Sequence, residues 1–204
     1  MLQTQNLAAR RGEALLFSHV SFSLAPGTAL VVGGPNGSGK TTLLRILAGL
    51  TFPAEGTLTW RSRPVRPFGA GLRAETLFVG HVPALKDELT ALENLASLAG
   101  LHGTRADGER LRGALAAWSV SRQRGLPARV LSQGQRRRVG LARLHLLARP
   151  LWLLDEPATA LDDAGLATLR GAIEAHLAGG GVAVIATHQD LALPSGSSRS
   201  LRLT

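Results

Sequence analysis

The sequence predicts an α/β fold, a sheet core flanked by helices with a small all-helical subdomain. Three stretches carry this. Gly34-Pro35-Asn36-Gly37-Ser38-Gly39-Lys40-Thr41, continued by Thr42, has the glycine spacing of a phosphate-binding turn and follows the apolar run Ala29-Leu30-Val31-Val32. Leu151-Trp152-Leu153-Leu154 reads as a second buried strand and ends on two acids, Asp155 and Glu156. Between them, residues 90–130 are rich in Ala and Leu at helical spacing and offer no strand.

In order, residues 2–7 and 20–24 read as short strands, with a tight turn at Arg10-Arg11-Gly12-Glu13 between them and another at Pro26-Gly27. The helix after the glycine-rich turn ends at Gly49, a C-terminal cap. Residues 56–60 and 77–79 read as strands, and the Arg-, Pro- and Gly-bearing stretch 61–71 as exposed loop. Helices are expected over 91–101 and 106–118. Ser132, with Gln135 three residues on, has the capping-box arrangement, so a helix should start there. Asp162 or Asp163 caps a further helix with Leu166, Leu169, Ile173 and Leu177 on one face. After Gly179-Gly180-Gly181 comes the buried strand 182–186, ending at Thr187-His188; the polar tail from Leu191 carries little signal.

The chemistry follows from residue types. Glycines let backbone N–H groups turn inward around phosphate oxygens, and a helix N-terminus adds partial positive charge. Lys40 can then reach the terminal phosphates and the Thr41 hydroxyl can ligate Mg²⁺. A strand ending in Asp155 brings a carboxylate to that ion, and Glu156, one residue on, can polarise an attacking water. The glycine-bearing helix start at Ser132 is a second ready-made anion site. Together these predict nucleotide binding.

Composition narrows the classes. The chain has 204 residues, 45% of them hydrophobic, enough for one good-sized domain. No apolar run approaches the roughly 18 residues of a membrane span, and the N-terminus is not expected to be a signal peptide. There is no cysteine, which excludes disulfides and thiol chemistry and suits the cytoplasm. The net charge of +9 suits nucleic acid, anionic headgroups or a nucleotide-binding surface. Of 23 basic residues only Lys40 and Lys86 are lysines, so a lysine in the glycine-rich turn is hard to ascribe to chance.

The glycine-rich turn, Leu131-Ser132-Gln133-Gly134-Gln135, Leu154-Asp155-Glu156 and Thr187-His188 occur in one order, and Ala160-Leu161-Asp162 follows the acids. This resembles the ATP-binding cassette family over nearly the whole chain. The pentapeptide is one substitution from that family's Leu-Ser-Gly-Gly-Gln signature. The resemblance implies a P-loop NTPase of the cassette type with a mixed β-sheet core, forming a single ATP-binding domain over 1–204. Its RecA-like core would take in about 1–89 and 145–204, its helical subdomain about 90–144. It implies ATP and Mg²⁺ as ligands, with residues 34–42 on the phosphates and Thr41 and Asp155 on the metal. Two copies would associate head to tail, so that Ser132, Gly134 and Gln135 of one meet the γ-phosphate held by the other. Glu156 would be the general base, His188 the γ-phosphate sensor and Asp162 a link across the interface.

Two positions depart from the family. The aromatic that stacks on adenine is missing where Arg10-Arg11-Gly12-Glu13 stands, and Phe17 looks like a strand residue; an arginine plane could stack instead. At the Q-loop, His81 stands nearest to the expected Gln. Gly80-His81, the run 89–95 and the triple arginine in 131–144 resemble the ATP-binding subunits of haem exporters for cytochrome c biogenesis. That implies a place on the cytoplasmic face of a bacterial inner membrane, bound to integral-membrane subunits of the CcmB/CcmC type. Another cargo or a non-transport cassette are the alternatives. A nucleic-acid partner is not expected, because the coiled coils or second cassette of such proteins are missing. Nor is direct haem binding, since the histidines at 19, 81, 102, 145, 176 and 188 are scattered.

Overall fold

The computed structural model describes residues 1–204. In chain order the first elements are β1 (Leu2–Arg11), β2 (Ala14–Leu24), β3 (Ala29–Gly33), α1 (Lys40–Leu47) and β4 (Glu55–Trp60). Then come β5 (Arg63–Pro64), α2 (Ala70–Glu75), β6 (Thr76–Val79), α3 (Ala91–Leu101), α4 (Gly108–Ala117) and α5 (Gln133–Leu141). The chain finishes with β7 (Leu151–Asp155), α6 (Asp163–Ala178), β8 (Val182–Ala186) and β9 (Ser198–Arg202). It divides into two compact units. A sheet unit holds Met1–Phe78, Arg149–Glu156 and Ile173–Thr204, and a helical unit holds Val79–Ala148 and Pro157–Ala172.

The sheet unit contains two sheets. One is antiparallel in the order β2-β1-β4-β5; the other, β6-β7-β8-β3-β9, has parallel pairing of β7 with β8, β8 with β3 and β3 with β9. Every residue of β7 and β8 is buried. That is why both read as continuous apolar runs rather than as alternation: a parallel sheet is covered on both faces. Helix α1 sends Leu43, Leu44, Ile46 and Leu47 into one apolar cluster with residues of both sheets, among them Leu2, Leu24, Leu153 and Val184. Truncating any of these leucines to alanine costs about 2–5 kcal/mol. The helix stops because Gly49 adopts φ +66, letting its N–H reach Ile46 O and the next N–H, of Leu50, reach Arg45 O.

Three readings of the sequence change here. The opening strands are longer than 2–7 and 20–24, for the ladder runs to a two-residue turn at Gly12-Glu13 through register shifts after Thr4, Leu7 and Ala9. Those shifts break the alternation that marks a strand. Residues 61–71 are not all loop, since β5 pairs with the end of β4 and α2 starts at Ala70. The polar tail forms β9, in register with β3 from Ala29↔Ser198 to Gly33↔Arg202. An edge strand draws its order from the backbone ladder, which leaves little trace in side-chain pattern.

In the helical unit, α3 begins with a capping box: Thr90 and Glu93 bond reciprocally. Asn94 is 2% exposed on the apolar face of this helix. Its amide donates to the carbonyls of Lys86, Leu89 and Thr90, and its oxygen accepts from Lys86 N at 2.7 Å. One buried side chain thereby satisfies the loop before the helix. Helix α4 starts at Asp107, whose carboxylate accepts from Arg110 N.

Candidate functional site

In the sheet unit, the chain leaves β3 into the glycine-rich turn and enters α1. Gly34 sits at φ +140, and a Cβ there would lie 2.5 Å from Leu203 O and 2.8 Å from Ser38 Oγ. Only glycine fits. Gly39, the N-cap of α1, gives that helix no side-chain cap, so no side chain competes for the N–H groups of its first turn. Ser38 is 8% exposed and its hydroxyl has no hydrogen-bond partner. A loop with open N–H groups and an orphaned buried hydroxyl suits a phosphate. Lys40 Nζ donates to Gly34 O at 2.8 Å and Pro35 O at 3.1 Å, which holds the ammonium over the loop.

The Thr41 hydroxyl donates to Asp155 Oδ2 at 2.8 Å, and Asp155 is 2% exposed. These are hard oxygen donors of the kind a divalent cation takes beside phosphate. The next residue, Glu156, has φ +47, yet its N–H still bonds Ala186 O at 2.8 Å. The backbone thus stays tied to β8 while the residue turns left-handed, at a cost of about 1–2 kcal/mol. That turn brings Glu156 Oε1 to 3.3 Å from His188 Nε2.

His188 Nε2 also lies 3.1 Å from Asn36 Oδ1 and 3.1 Å from Lys40 Nζ. One ring nitrogen therefore faces an ammonium and two oxygens. With a proton it donates to Asn36 or Glu156; without one it accepts from Lys40. A cavity of about 530 Å³ opens beside it, lined by Gly34, Pro35, Thr187, His188 and residues 200–202 of β9. At the hairpin turn, Arg10 Nη1 donates to Glu13 O, and Phe17 is buried, its ring within 2.9 Å of where a Cβ on Gly39 would stand.

The helical unit carries the second anion-binding candidate. Ser132 Oγ accepts from Gln135 N at 3.2 Å, and Gln135 Oε1 accepts from Ser132 N at 3.0 Å, the expected capping box on α5. A Cβ on Gly134 would lie 2.9 Å from Ala160 O, so glycine lets the 160–162 segment approach the helix start. Asp162 Oδ1 caps α6 by accepting from Gly165 N at 2.9 Å and pairs with Arg138. The bond from Gly165 N, then that from Arg138, holds the Asp162 carboxyl below the ordinary aspartate range. His81 is exposed, and its carbonyl accepts from Arg137 Nη1 at 2.9 Å. Arg143 is buried and held down to about 10 by desolvation, with the Arg137 charge adding to it.

Sequence reasoning singled out Lys40, Thr41, Asp155, Glu156 and His188 separately, and the sheet unit brings them together. It missed Asn36 as a partner of His188, the orphaned Ser38 hydroxyl, and the tasks of Arg137 and Arg138. Asn94 had a legible signal, a polar residue amid an apolar helical face. The arginines had none, because a basic run reads equally well as a solvated helix surface.

Comparison with known proteins supplies the family. The ABC transporter family model matches residues 17–159. The cytochrome c biogenesis ATP-binding export protein CcmA of Nitrosomonas europaea is 47% identical over 193 residues, covering 95% of this chain and 91% of its own. The protein of the same name from Pseudomonas aeruginosa is 45% identical over 203 residues, covering 100% and 99%. Among solved structures, an ATP-binding cassette captured as a dimer in a post-hydrolysis state with ADP and Pi superposes with a TM-score of 0.83 at 26% identity, covering 100% of this chain and 94% of that one. An ABC transporter ATP-binding protein from Pyrococcus furiosus gives a TM-score of 0.85 at 22% identity, covering 99% and 96%. With a phosphate loop, an adjoining acid pair and near full-length relatives in hand, the chain belongs to the ABC transporter family, as an ABC-type ATPase among the CcmA group of cytochrome c biogenesis ATP-binding export proteins.

Proposed function

We propose that this chain hydrolyses ATP at a site shared between two copies and passes the work to integral-membrane subunits of the CcmB/CcmC type. The cargo would be haem or its carrier, and the chain would sit on the cytoplasmic face of a bacterial inner membrane. No helix is long and apolar enough to cross a membrane.

Residues 34–42 wrap the phosphates with backbone N–H groups, and Lys40 exchanges its carbonyl partners for phosphate oxygens. Thr41 and Asp155 would hold Mg²⁺, which supplies charge neutralisation on the phosphates. Glu156 accepts a proton from the attacking water, and His188 reports the γ-phosphate by exchanging Asn36 and Lys40 for it. From the second copy come the Ser132 hydroxyl, which can donate while still accepting from Gln135 N, together with Gly134, Gln135 and the Asp162 segment. His81 would hydrogen-bond a water of the hydrated ion.

The observation that carries this reading is the left-handed turn at Glu156, which aims a carboxylate at His188 beside the phosphate loop. Left-handed backbone held by its surroundings clusters at functional sites. Glu156→Gln is expected to keep ATP affinity, lose turnover by about 10³-fold and accumulate an ATP-bound dimer. Hydrolysis at the native rate by that variant removes Glu156 from the role. Co-purification from membranes, repeated in cells lacking the membrane subunits, identifies the partner; recovery on such membranes with release by salt points to lipid adsorption instead.

A further inference from the structure

Helix α5 carries three consecutive arginines, and each turns to different segments of the helical unit. Arg136 donates to Ala128 O and pairs with Asp87 at 2.7 Å. Arg138 donates to Trp118 O and pairs with Asp162. Arg137 is the most buried of the three, at 3% exposure, and it binds main chain. Its Nε donates to Pro157 O at 3.1 Å, and Nη1 donates to Gly80 O at 3.1 Å and His81 O at 2.9 Å.

Those carbonyls belong to two loops. Gly80 and His81 are the exit from β6, and Pro157 is the residue after Glu156. A guanidinium is a planar fork whose donors keep fixed positions relative to one another. Two loops bonded to one fork cannot shift independently without stranding a buried charge, because water cannot replace the lost partners. Proline's ring fixes its own φ, so anchoring the Pro157 carbonyl leaves few free torsions between the anchor and the Glu156 Cα.

We infer that Arg137 is a positioning residue for ATP hydrolysis. Through Pro157 it holds the strained backbone that carries Glu156, and through the His81 carbonyl it ties that backbone to the loop leaving β6. A lysine cannot do the same, since a single ammonium lacks the fork. The inference rests on the reading of Glu156 as the general base.

Arg137→Gln and Arg137→Lys are compared with the native chain and with Glu156→Gln. The measurements are ATP affinity, the unfolding transition, and the single-turnover cleavage rate per bound ATP at protein concentrations where the native chain dimerises. Arg137→Gln should bind ATP within about threefold of native yet cleave it about 100-fold more slowly per bound ATP, the loss expected when a reacting group is misplaced by an ångström. Arg137→Lys should recover part of that rate. A merely structural role lowers the fraction of chains that bind ATP and leaves the rate per bound ATP unchanged, and that result overturns the inference. So does loss of both ATP binding and cooperative unfolding in the two variants, which would make Arg137 a folding residue. Glu156→Gln separates the failures: native-rate cleavage by it sinks the base assignment whatever Arg137 does.

Discussion

The starts of α1 and α5 both look like anion sites, but the two helices are capped differently. Helix α1 is capped by Gly39 without any side-chain bond, whereas α5 has a complete capping box between Ser132 and Gln135. The first is open and leans on Lys40, held by two carbonyls of its own loop. The second has its Ser132 and Gln135 N–H groups paired within the box, so it can form and persist with no phosphate present. A site that binds nucleotide first needs open donors. A site that meets nucleotide brought by another copy needs a helix that stays folded while it waits. Under the proposed function the same helix-terminus electrostatics would serve two tasks, separated by one residue type at the cap.

Removing the cation on the open side should have the largest effect. Lys40→Ala is expected to cost about 3 kcal/mol of ATP binding, roughly 100-fold in Kd, because the buried loop loses its charge. Equilibrium binding of a fluorescent ATP analogue reads this, and an unchanged Kd would mean that the open N–H groups suffice. Its counterpart on the satisfied side is Gly134→Ala. The added Cβ must displace the Ala160 carbonyl from 2.9 Å, at roughly 1–3 kcal/mol. Turnover should fall while ATP affinity of the isolated chain stays native; a matching loss of affinity would merge the two sites.

Asn94→Ala tests what holds the helical unit together apart from α5. It removes the side-chain partner of Lys86 N and Lys86 O and one of the two bonds to each of Leu89 O and Thr90 O, so unfolding should ease by about 2 kcal/mol with ATP affinity unchanged. Ser132→Ala is smaller, about 1 kcal/mol of stability from the lost cap, and no equivalent change exists for α1. Chemical denaturation resolves both, and a Ser132→Ala chain as stable as native would show that the box is idle.

The smallest effect is on pH. Each unit sets a histidine against a tryptophan: His176, half-buried, stacks on Trp152 at 3.9 Å, and His145 Nδ1 accepts from Trp118 Nε1 at 3.0 Å. Partial desolvation lowers both from the ordinary histidine value; for His176 a bond to Val182 O opposes the shift without cancelling it. A depressed histidine binds its proton more readily in the unfolded chain. Stability is therefore full above about pH 6.5 and declines as pH falls through and below that value. His176→Gln or His145→Gln should flatten the slope, and an unchanged slope in both would place the titration elsewhere. At Asp162 the sign runs the same way lower down, with its contribution present at neutral pH and lost as acid protonates the carboxylate.

Much of the chemistry was legible in the chain because it is local. A glycine-rich turn between strand and helix, a capping box and an acid pair at a strand end are specified by residues within a few positions of each other. What escaped notice was nonlocal. Strand β9 hides in a polar tail because its order comes from β3's backbone, and the long β1–β2 hairpin hides behind its register shifts. Arg136, Arg137 and Arg138 read as one basic run, although each meets a partner from a different stretch of chain.

The sequence alone determined which groups are available: the phosphate loop, its lysine and threonine, Asp155, Glu156, His188, and a self-capped helix at Ser132. Tertiary structure decided where they aim. Only pairing of β7 with β8 ties Glu156 N to Ala186 O while the residue turns left-handed, and only that turn brings its carboxylate to His188. Only folding buries Arg137 among three carbonyls drawn from two distant loops. The physical reason is range. Hydrogen-bond chemistry and helix capping are written in neighbouring residues, whereas burial and backbone strain exist only when distant segments close around them.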